Sequence, residues 1–520
     1  MPITFNVYVD TLGDGSFSGV SDDITAYALK TDLKIGFAKP YDPIARDSTA
    51  IITLNNTSKI FSPESGSALS GLKPMTLLKI TSLYSATTRI MYLGWINPDG
   101  GIKPVAGTDE SQRVTIDCIG FFGKAINVEA SIPVQQSKTA DQVLDAILSA
   151  SVVYPPGFIG WFLGVPGYSE LGVSTWLRIV TDYLIAEVGK TTFNYVGDRW
   201  GTGVSVLGAI RDTVGREFGR FYSDRSSILT FVNRHHLLVN TVSAASFSNT
   251  MHGLVYSYSD KIINKVTVKA NPRKVGASPE TLGRLDIATS IPPSGSVIVT
   301  FNYSDLTSSG EKLGGKNAIA PVQTTDFTAN TAANGSGVDK TASVTTAITT
   351  ENATRCAVTF TNADAVEVWI QAGAVIRGTA IRDFGNIEFT HQDTVSQGLY
   401  RGVSAYVYPY EMDNQTDIDN IARYLVGLWS TPRGRVDSML LKGEESASLL
   451  TQMATRTLLD RITITETQTG ISSDHFIISE HWVVDGGEKY AVTWGLEPAD
   501  AYTYWNLGVV GYSELGVSTF

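Results

Sequence analysis

A chain of 520 residues and 56.0 kDa exceeds the roughly 250–300 residues at which one hydrophobic core stops growing, so three or four structural units are expected. With 43% hydrophobic residues, 18% charged residues and a mean hydropathy of +0.02 it reads as globular, neither disordered nor coiled coil. Lys and Arg number 40 against 51 Asp and Glu, a net charge of -11 with no run of clustered basic residues, which argues against sequence-independent nucleic-acid binding through a basic face.

The chain opens as a strand, with Phe5, Val7 and Val9 alternating, and turns between Asp10 and Gly15. Asp10, Asp14 and Gly15 fall at the first, fifth and sixth positions of a calcium loop. Leu12 and Ser21 stand where further ligands are needed, so a plain turn is expected. Strands are predicted at 34–38, 50–54, 75–83, 89–95 and 113–122, separated by Gly, Pro, Asn and Ser. Together they make an all-β unit.

After Ser137 the period changes. Val143, Leu144, Ile147 and Leu148 share one face of a helix predicted at 139–151, and Thr139 with Gln142 forms a capping box. A second helix is expected at 174–188 and a third at 204–218, through Leu207, Ile210 and Val214. Two strand-like runs then flank a polar turn between Arg220 and Val232. This stretch reads as an α/β insertion between two β-rich units.

The β signal returns from Ser257, with Ile263, Val266 and Val268. Residues 276–382 are rich in Thr, Ser, Ala, Gly and Asn, with strands expected at 296–301, 356–360 and 366–371, a pattern of short strands and polar turns that suggests a β-sandwich or barrel-like insertion. A further helix is predicted at 417–429, with Ile418, Ile421, Ala422, Leu425 and Leu428 on one face and Thr431-Pro432 closing it. Strands at 461–466, 475–478 and 490–494 follow.

Cys118 and Cys356 are the two cysteines, too few for a disulfide framework. Each lies in apolar alternation, so buried free thiols and folding in a reducing compartment are expected. No apolar run reaches the length of a membrane-spanning helix. The N-terminus lacks the basic and apolar regions of a classical signal peptide, so none is expected.

One segment is repeated: Leu163 to Thr175 recurs as Leu507 to Thr519, differing only at Pro166 and Val510. Two readings stand: a duplication scar, or a Gly-punctuated segment that docks on two related surfaces.

Motifs for common chemistries are absent: HExxH, GxSxG, GxxxxGK[ST] and a GxGxxG opening a helix. The histidines are His235, His236, His252, His391, His475 and His481. Only His475 and His481, six apart in a strand-like context, could share a sheet face, and two ligands do not make a metal site. The adjacent acids Asp22-Asp23, Asp109-Glu110 and Glu444-Glu445 are too common a pattern to define a glycosidase. Trp369 and the row Tyr406, Tyr408, Tyr410 could stack on sugars if exposed, though packing is the commoner use. No catalytic, cofactor-binding or metal-binding residue is therefore predicted.

Several passages in order resemble the tail hub, or tail-associated minor tail, proteins of long-tailed bacteriophages. The first runs from Lys39-Pro-Tyr-Asp-Pro-Ile-Ala-Arg46 through Thr49-Ala-Ile-Ile-Thr-Leu-Asn-Asn56, Ile60-Phe-Ser-Pro63 and Gly71-Leu-Lys-Pro74 to Tyr92-Leu-Gly-Trp-Ile96. The second is the stretch from Ala209 to Arg234. The third comprises Ile376 to Ile381, Asp393 to Tyr400 and the helix from Ile418 to Trp429 with Pro432, and the fourth is the terminal repeat itself.

The resemblance implies a non-enzymatic virion protein, mainly β and multidomain. Two tube-like split β-barrels would be formed by residues 1–128 and by 251–275 with 383–504, with an α/β insertion at 129–250, a Thr/Ser-rich β-sandwich insertion at 276–382 and a docking segment at 505–520. It further implies a homotrimeric ring at the tail tip, assembled in the host cytoplasm, that adapts a sixfold tube to a threefold tip. The partners it implies are a distal tail or tail tube protein, the tape measure protein, and further tip, spike or fibre proteins, with DNA only in transit. Alternatives are a receptor- or glycan-binding tail protein acting on the host cell surface through 276–382, and a cell-wall hydrolase, which the missing motifs disfavour.

Overall fold

The computed structural model describes residues 3–105, 112–151, 155–156, 177–181, 184–200, 203–258, 262–277, 279–304, 314–383, 385–413, 415–485 and 489–499. The N-terminal strands are β1 (Thr4–Val9), β2 (Ala28–Gly36), β3 (Thr49–Asn55), β4 (Leu77–Tyr84), β5 (Thr87–Ile96), β6 (Ile102–Val105) and β7 (Arg113–Ile119). Their alternation directs Val7, Leu33, Ile52, Ile80 and Ile116 inward, where they are buried. The strand expected to reach residue 122 ends at Ile119. Gly120 starts a short helix, α1 (Phe121–Ala125), because Phe121, Phe122 and Ala125 then share a face buried in the core.

The middle segment holds β8 (Gln135–Thr139), α2 (Ala140–Ala150), β9 (Leu177–Thr181), β10 (Leu184–Glu187), β11 (Thr192–Val196), α3 (Val206–Glu217), β12 (Arg220–Ser223), β13 (Leu229–Val232) and α4 (His236–Val239). The return half of the capping box is present, with Thr139 N–H donating to Gln142 Oε1 at 3.3 Å. The helix expected at 174–188 is not formed in the described part, where β9 and β10 pair antiparallel and β10 also pairs parallel with β13. A run such as Leu-Arg-Ile-Val-Thr satisfies either period. Its β-branched residues and an available strand partner decide for sheet.

β14 (Ala245–Ser248), β15 (Gly253–Tyr258) and β16 (Lys265–Ala270) lead into the Thr/Ser-rich region. There β17 (Arg273–Val275), β18 (Glu280–Arg284), β19 (Thr289–Ile291), β20 (Ser296–Asn302), β21 (Gly314–Ile319), β22 (Ala329–Asn330), β23 (Val344–Glu351), β24 (Arg355–Asn362), β25 (Val368–Ile370) and β26 (Val375–Asp383) form three small sheets. These pair only among themselves and enclose their own core around Phe301, Phe327, Val358 and Phe360. The chain closes with β27 (Ile387–Gln392), α5 (Thr394–Leu399), β28 (Ala405–Met412), α6 (Gln415–Trp429), β29 (Gly434–Lys442), α7 (Ala447–Thr455), β30 (Arg461–Glu466), β31 (Ile471–Asp485) and β32 (Lys489–Pro498).

The protein is mainly β and built on several sheets. Among the described residues the largest has 13 strands, with the principal order β1-β4-β5-β7-β3-β2-β31-β32-β29-β15. The two ends of the chain therefore share one sheet, joined where β2 pairs antiparallel with β31 from Lys30↔Asp485 to Gly36↔Ser479. They also share one core, in which Trp482 and Trp494 pack with Val7, Leu33, Leu54 and Ile80.

The seam depends on a glycine. β31 carries a bulge between Ile477 and Ser479, Phe37 N–H donates to the Ile478 carbonyl at 2.8 Å, and Gly36 lies against this bulge at φ +102°. A Cβ at Gly36 would collide with the Ile478 carbonyl oxygen and the Ser479 backbone, in a conformation that L residues rarely adopt. Gly36→Ala is accordingly expected to destabilise the protein by about 2 kcal/mol or more, read as a lower thermal midpoint. An unchanged midpoint would show that the seam yields freely.

Candidate functional site

The passage from Ala209 to Arg234 contains five arginines. Its helix α3 is capped by Ser205, whose side chain accepts from Gly208 N–H at 3.1 Å, and ends at Phe218 in a left-handed conformation. The hairpin β12–β13 follows directly. Four of the arginines reach carboxylates far along the chain: Arg216 pairs with Asp413, Arg220 with Glu497 at 2.5 Å, Arg225 with Glu480 at 2.7 Å and Arg234 with Asp417 at 3.3 Å.

All four guanidiniums are largely buried, and Glu480 and Glu497 have almost no exposure. Burial at this depth is tolerated only when each charge is paired and hydrogen-bonded. Glu497 also accepts from Tyr41 N–H at 2.7 Å. Glu480 accepts from Arg225 through Nε and Nη2 and from the Trp482 indole at 2.8 Å. Arg225 further donates to the carbonyl of Arg456 at 2.9 Å. Arg234 and Asp417 both bond the Thr191 hydroxyl, while Glu217 accepts from the N–H groups of Lys190 and Thr191 at 2.7 and 2.8 Å.

A second group of ion pairs lies beside Arg216. Arg273 pairs with Asp198, Arg199 bridges Asp383 at 2.8 Å and Glu411, and the Trp200 indole donates to Asp212 at 3.1 Å. All of these groups but Asp383 line a small polar cleft with Asn271 and Asp413. Burial alone would lower the Arg216 pKa. Asp413 and Asp212 more than reverse this, and it is held above its ordinary value. Burial pushes the Glu217 carboxyl up, opposed by Arg234 and the two backbone donors.

The arrangement is a clasp. Glu480 Oε2 and both oxygens of Glu497 are taken by guanidinium and other donors, and the contacts tie α3 and the β12–β13 region to the end of β28, α6, β31 and β32. Sequence reasoning singled out this passage for its resemblance and not for its arginines. Their spacing of four, five and nine residues in the chain matches no helix face, because the helix ends after Arg216.

The residues weighed from sequence are scattered. Asp10 accepts from Gly13 and Gly15 N–H at 2.7 Å each, and Asp22 from Thr11 and Gly19 N–H, so the opening loop is a turn held by its own carboxylates. Asp23 accepts from Thr25 N–H, and Glu445 pairs with His252 at 2.6 Å. His475 and His481 do not act from one exposed face. The bulge after Ile477 resets the alternation, leaving His475 fully buried and accepting from Val436 N–H while His481 contacts Asp32 at 3.0 Å.

His236 contacts Glu187 and His391 contacts Asp419. Among the described residues no three His, Cys, Asp or Glu side chains gather as for a metal, and no helix is long and apolar enough to cross a membrane. Tyr406, Tyr408 and Tyr410 are not an exposed row. They pack against Trp429, Phe218 and one another, because their parity on β28 turns them towards α6. Cys118 and Cys356 are buried and free; burial raises both thiols, Cys356 to about 11. Asp109, Glu110 and both copies of the repeated segment lie outside the described residues.

No family model matches the chain, and no curated protein matches it. Solved structures similar to it include a tail protein from Neisseria meningitidis MC58, with 7% identity, 97% of this chain and 98% of that one covered and a TM-score of 0.49. The prophage MuSo2 43 kDa tail protein from Shewanella oneidensis is similar over 96% of this chain and 99% of that one, with 8% identity and a TM-score of 0.47. The prophage tail protein gp18 from Listeria monocytogenes EGD-e is similar over 95% and 94%, with 9% identity and a TM-score of 0.40.

Removing one member of a buried pair leaves the other charge stranded. Arg225→Met is expected to lower stability by about 3 kcal/mol, and adding Glu480→Gln should restore part of that loss. A double variant as unstable as the sum of the singles would dissolve the pair as a unit.

The turn beside Arg225 has its own pH signature. Asp224 accepts from Ser226 and Ile228 N–H at 2.8 and 2.9 Å, yet burial pushes its pKa from 3.8 up to about 6. A folded-state value above the unfolded one means that this group's contribution to stability is present below about 3.8 and is lost as pH rises through about 6. Asn can accept the same two bonds without the charge. Asp224→Asn should therefore gain on wild type between pH 4 and pH 7, on the order of 2–3 kcal/mol, in melts across that range. A difference independent of pH would refute the assignment.

Proposed function

We propose that this protein is a structural component of the tail of a long-tailed bacteriophage, the trimeric hub at the tail tip that forms part of the DNA-ejection conduit. The observation that carries the reading is the shared sheet. Strands from both ends of the chain, read here as the two tube-like units of a hub, are joined through β2 and β31 in one sheet and tied to the middle segment by the arginine clasp. In this reading residues 1–128 form one tube-like split barrel and 251–275 with 383–504 the second, with 129–250 as the clasping insertion, 276–382 as a sandwich and 505–520 as a docking segment.

Two similar β units per chain let three copies present six to the tail tube, which suits a fitting between sixfold and threefold symmetry. The neighbours are then the tail tube or distal tail protein above, the tape measure protein within, and a spike or fibre protein below. The net charge of -11 suits a channel through which phosphates pass without being held. Nothing in the clasp calls for catalysis, and the protein acts as a fitting.

Negative-stain images of the purified chain or the virion tip are expected to show threefold rings around a central channel. A monomer that clears peptidoglycan on a zymogram would overturn the reading.

A further inference from the structure

The short helix α5 is built inside out. Its Ser396 is 2% exposed and donates to the Ser430 carbonyl at 2.6 Å, whereas Val395 is 70% and Leu399 68% exposed. An isolated amphipathic helix would do the reverse. The loop that follows continues the pattern, with Tyr400 and Val403 exposed and Val407 exposed on β28.

This apolar run is held firmly. Asp393 caps α5 by accepting from Ser396 N–H at 2.9 Å. The buried Asn264 donates to the Gly402 carbonyl at 3.0 Å and accepts from Ser404 N–H at 2.9 Å. Arg401, the lone charged residue between Thr394 and Tyr410, is exposed at φ +55°. Leu, Tyr and Arg side by side on a rigid base, turned outward, form an anchor awaiting a surface, since Tyr and Arg carry most interface hot spots.

A free sheet edge is linked to α5 through a short stretch of chain. Among the described residues β15, Gly-Leu-Val-Tyr-Ser-Tyr, has a strand partner only on its β29 side. It bears no charge or proline, its one irregularity is a register shift against β29 between Val255 and Tyr256, and Val255 and Tyr258 are exposed. Tyr258 pairs with Gly434, and the stretch from Gly434 back to Ser430, which holds α5, spans at most about 15 Å. Folded proteins guard such edges with charge, proline or a bulge, or cover them.

We propose that the outward face of α5, the loop through Val403 and the free edge of β15 form one surface on which a second copy of this chain docks. This inference rests on the hub reading for the ring and adds the face that closes it. A copy of the chain fits on two counts. Its excess of acids, 51 against 40 bases, supplies a carboxylate for Arg401. Its other open edges, β23 and β27 among them, supply an extended strand for β15, and a ring needs a different face of each copy at the same contact. A stable interface takes roughly 800 Å² per partner, so the α5 knob and the β15 edge are both enlisted.

The test is the mass of the full chain in solution by light scattering at micromolar concentration, for wild type, Leu399→Asp, Arg401→Glu and the milder Val403→Ser. Wild type is expected at three chains, Leu399→Asp and Arg401→Glu at one, and Val403→Ser at a mean mass below wild type, with unchanged circular dichroism because the altered side chains are exposed, while the thermal midpoint of the dissociated variants should fall because association stabilises the fold. Val20→Asp, on a fully exposed residue at the β1 end of the large sheet, should keep the mass of three. Amide exchange across 394–404 should be slow in wild type and fast in the dissociated variants. Trimeric variants would overturn this face while leaving the hub intact, and a monomeric wild type would overturn both. A dimer lost in the variants would support the face and sink the threefold ring.

Discussion

The placement of four guanidiniums on a single helix and hairpin constrains everything else in this fold. Arg216, Arg220, Arg225 and Arg234 enter the interior within one short passage, and their carboxylates come from β31, β32, α6 and the turn between β28 and α6. Each half would leave a buried, unpaired charge if the other were displaced by a few ångströms. Such a penalty exceeds what any single surface ion pair returns. The clasp therefore specifies one arrangement of the middle segment against the C-terminal strands, and it does so more through the penalty for misplacement than through net attraction.

That arrangement fixes the long seam between the two ends of the chain. β2 finds β31 across more than four hundred residues, and its register is set by Gly36 fitting the bulge at Ile477 to Ser479. A one-residue slip would turn Leu33 out of the core it shares with Trp482. Closing so distant a pairing late, after the local hairpins β4–β5 and β31–β32, follows from the entropy of long loops. The hairpin β12–β13 is local, so its arginines can be in position before the seam closes.

How much of this was legible in the sequence follows from the range of each signal. Alternation at Phe5, Val7 and Val9, and the helical stripe from Ile418 to Leu428, are local and met their elements. The run from Leu177 to Glu187 fits either period, and its pairings, β9 with β10 and β10 with Leu229 to Phe231, made it sheet. The bulge that separates His475 from His481 leaves no mark in composition. The clasp was invisible for the same reason: Arg225 and Glu480 are ordinary charges until the fold removes water from both. α7 was missed although Ser446 caps it through Leu449 N–H at 3.1 Å, because its stripe of Leu449, Leu450 and Met453 is short.

Charge and apolar surface are thus used in opposite senses on the two sides of this molecule. Inside, where hydrophobic packing would be the default, arginines and carboxylates fix geometry. Outside, where charge would be the default, α5 shows Val395 and Leu399 and hides a serine. An inverted helix is unfavourable in an isolated monomer, since burying Ser396 gains little and exposing two large aliphatic side chains forgoes roughly 1.5–3 kcal/mol each. It becomes favourable when another surface covers it. Such a cover gains most from a base that does not give, and α5 has one in its Asp393 cap and the Ser396 bond to the Ser430 carbonyl.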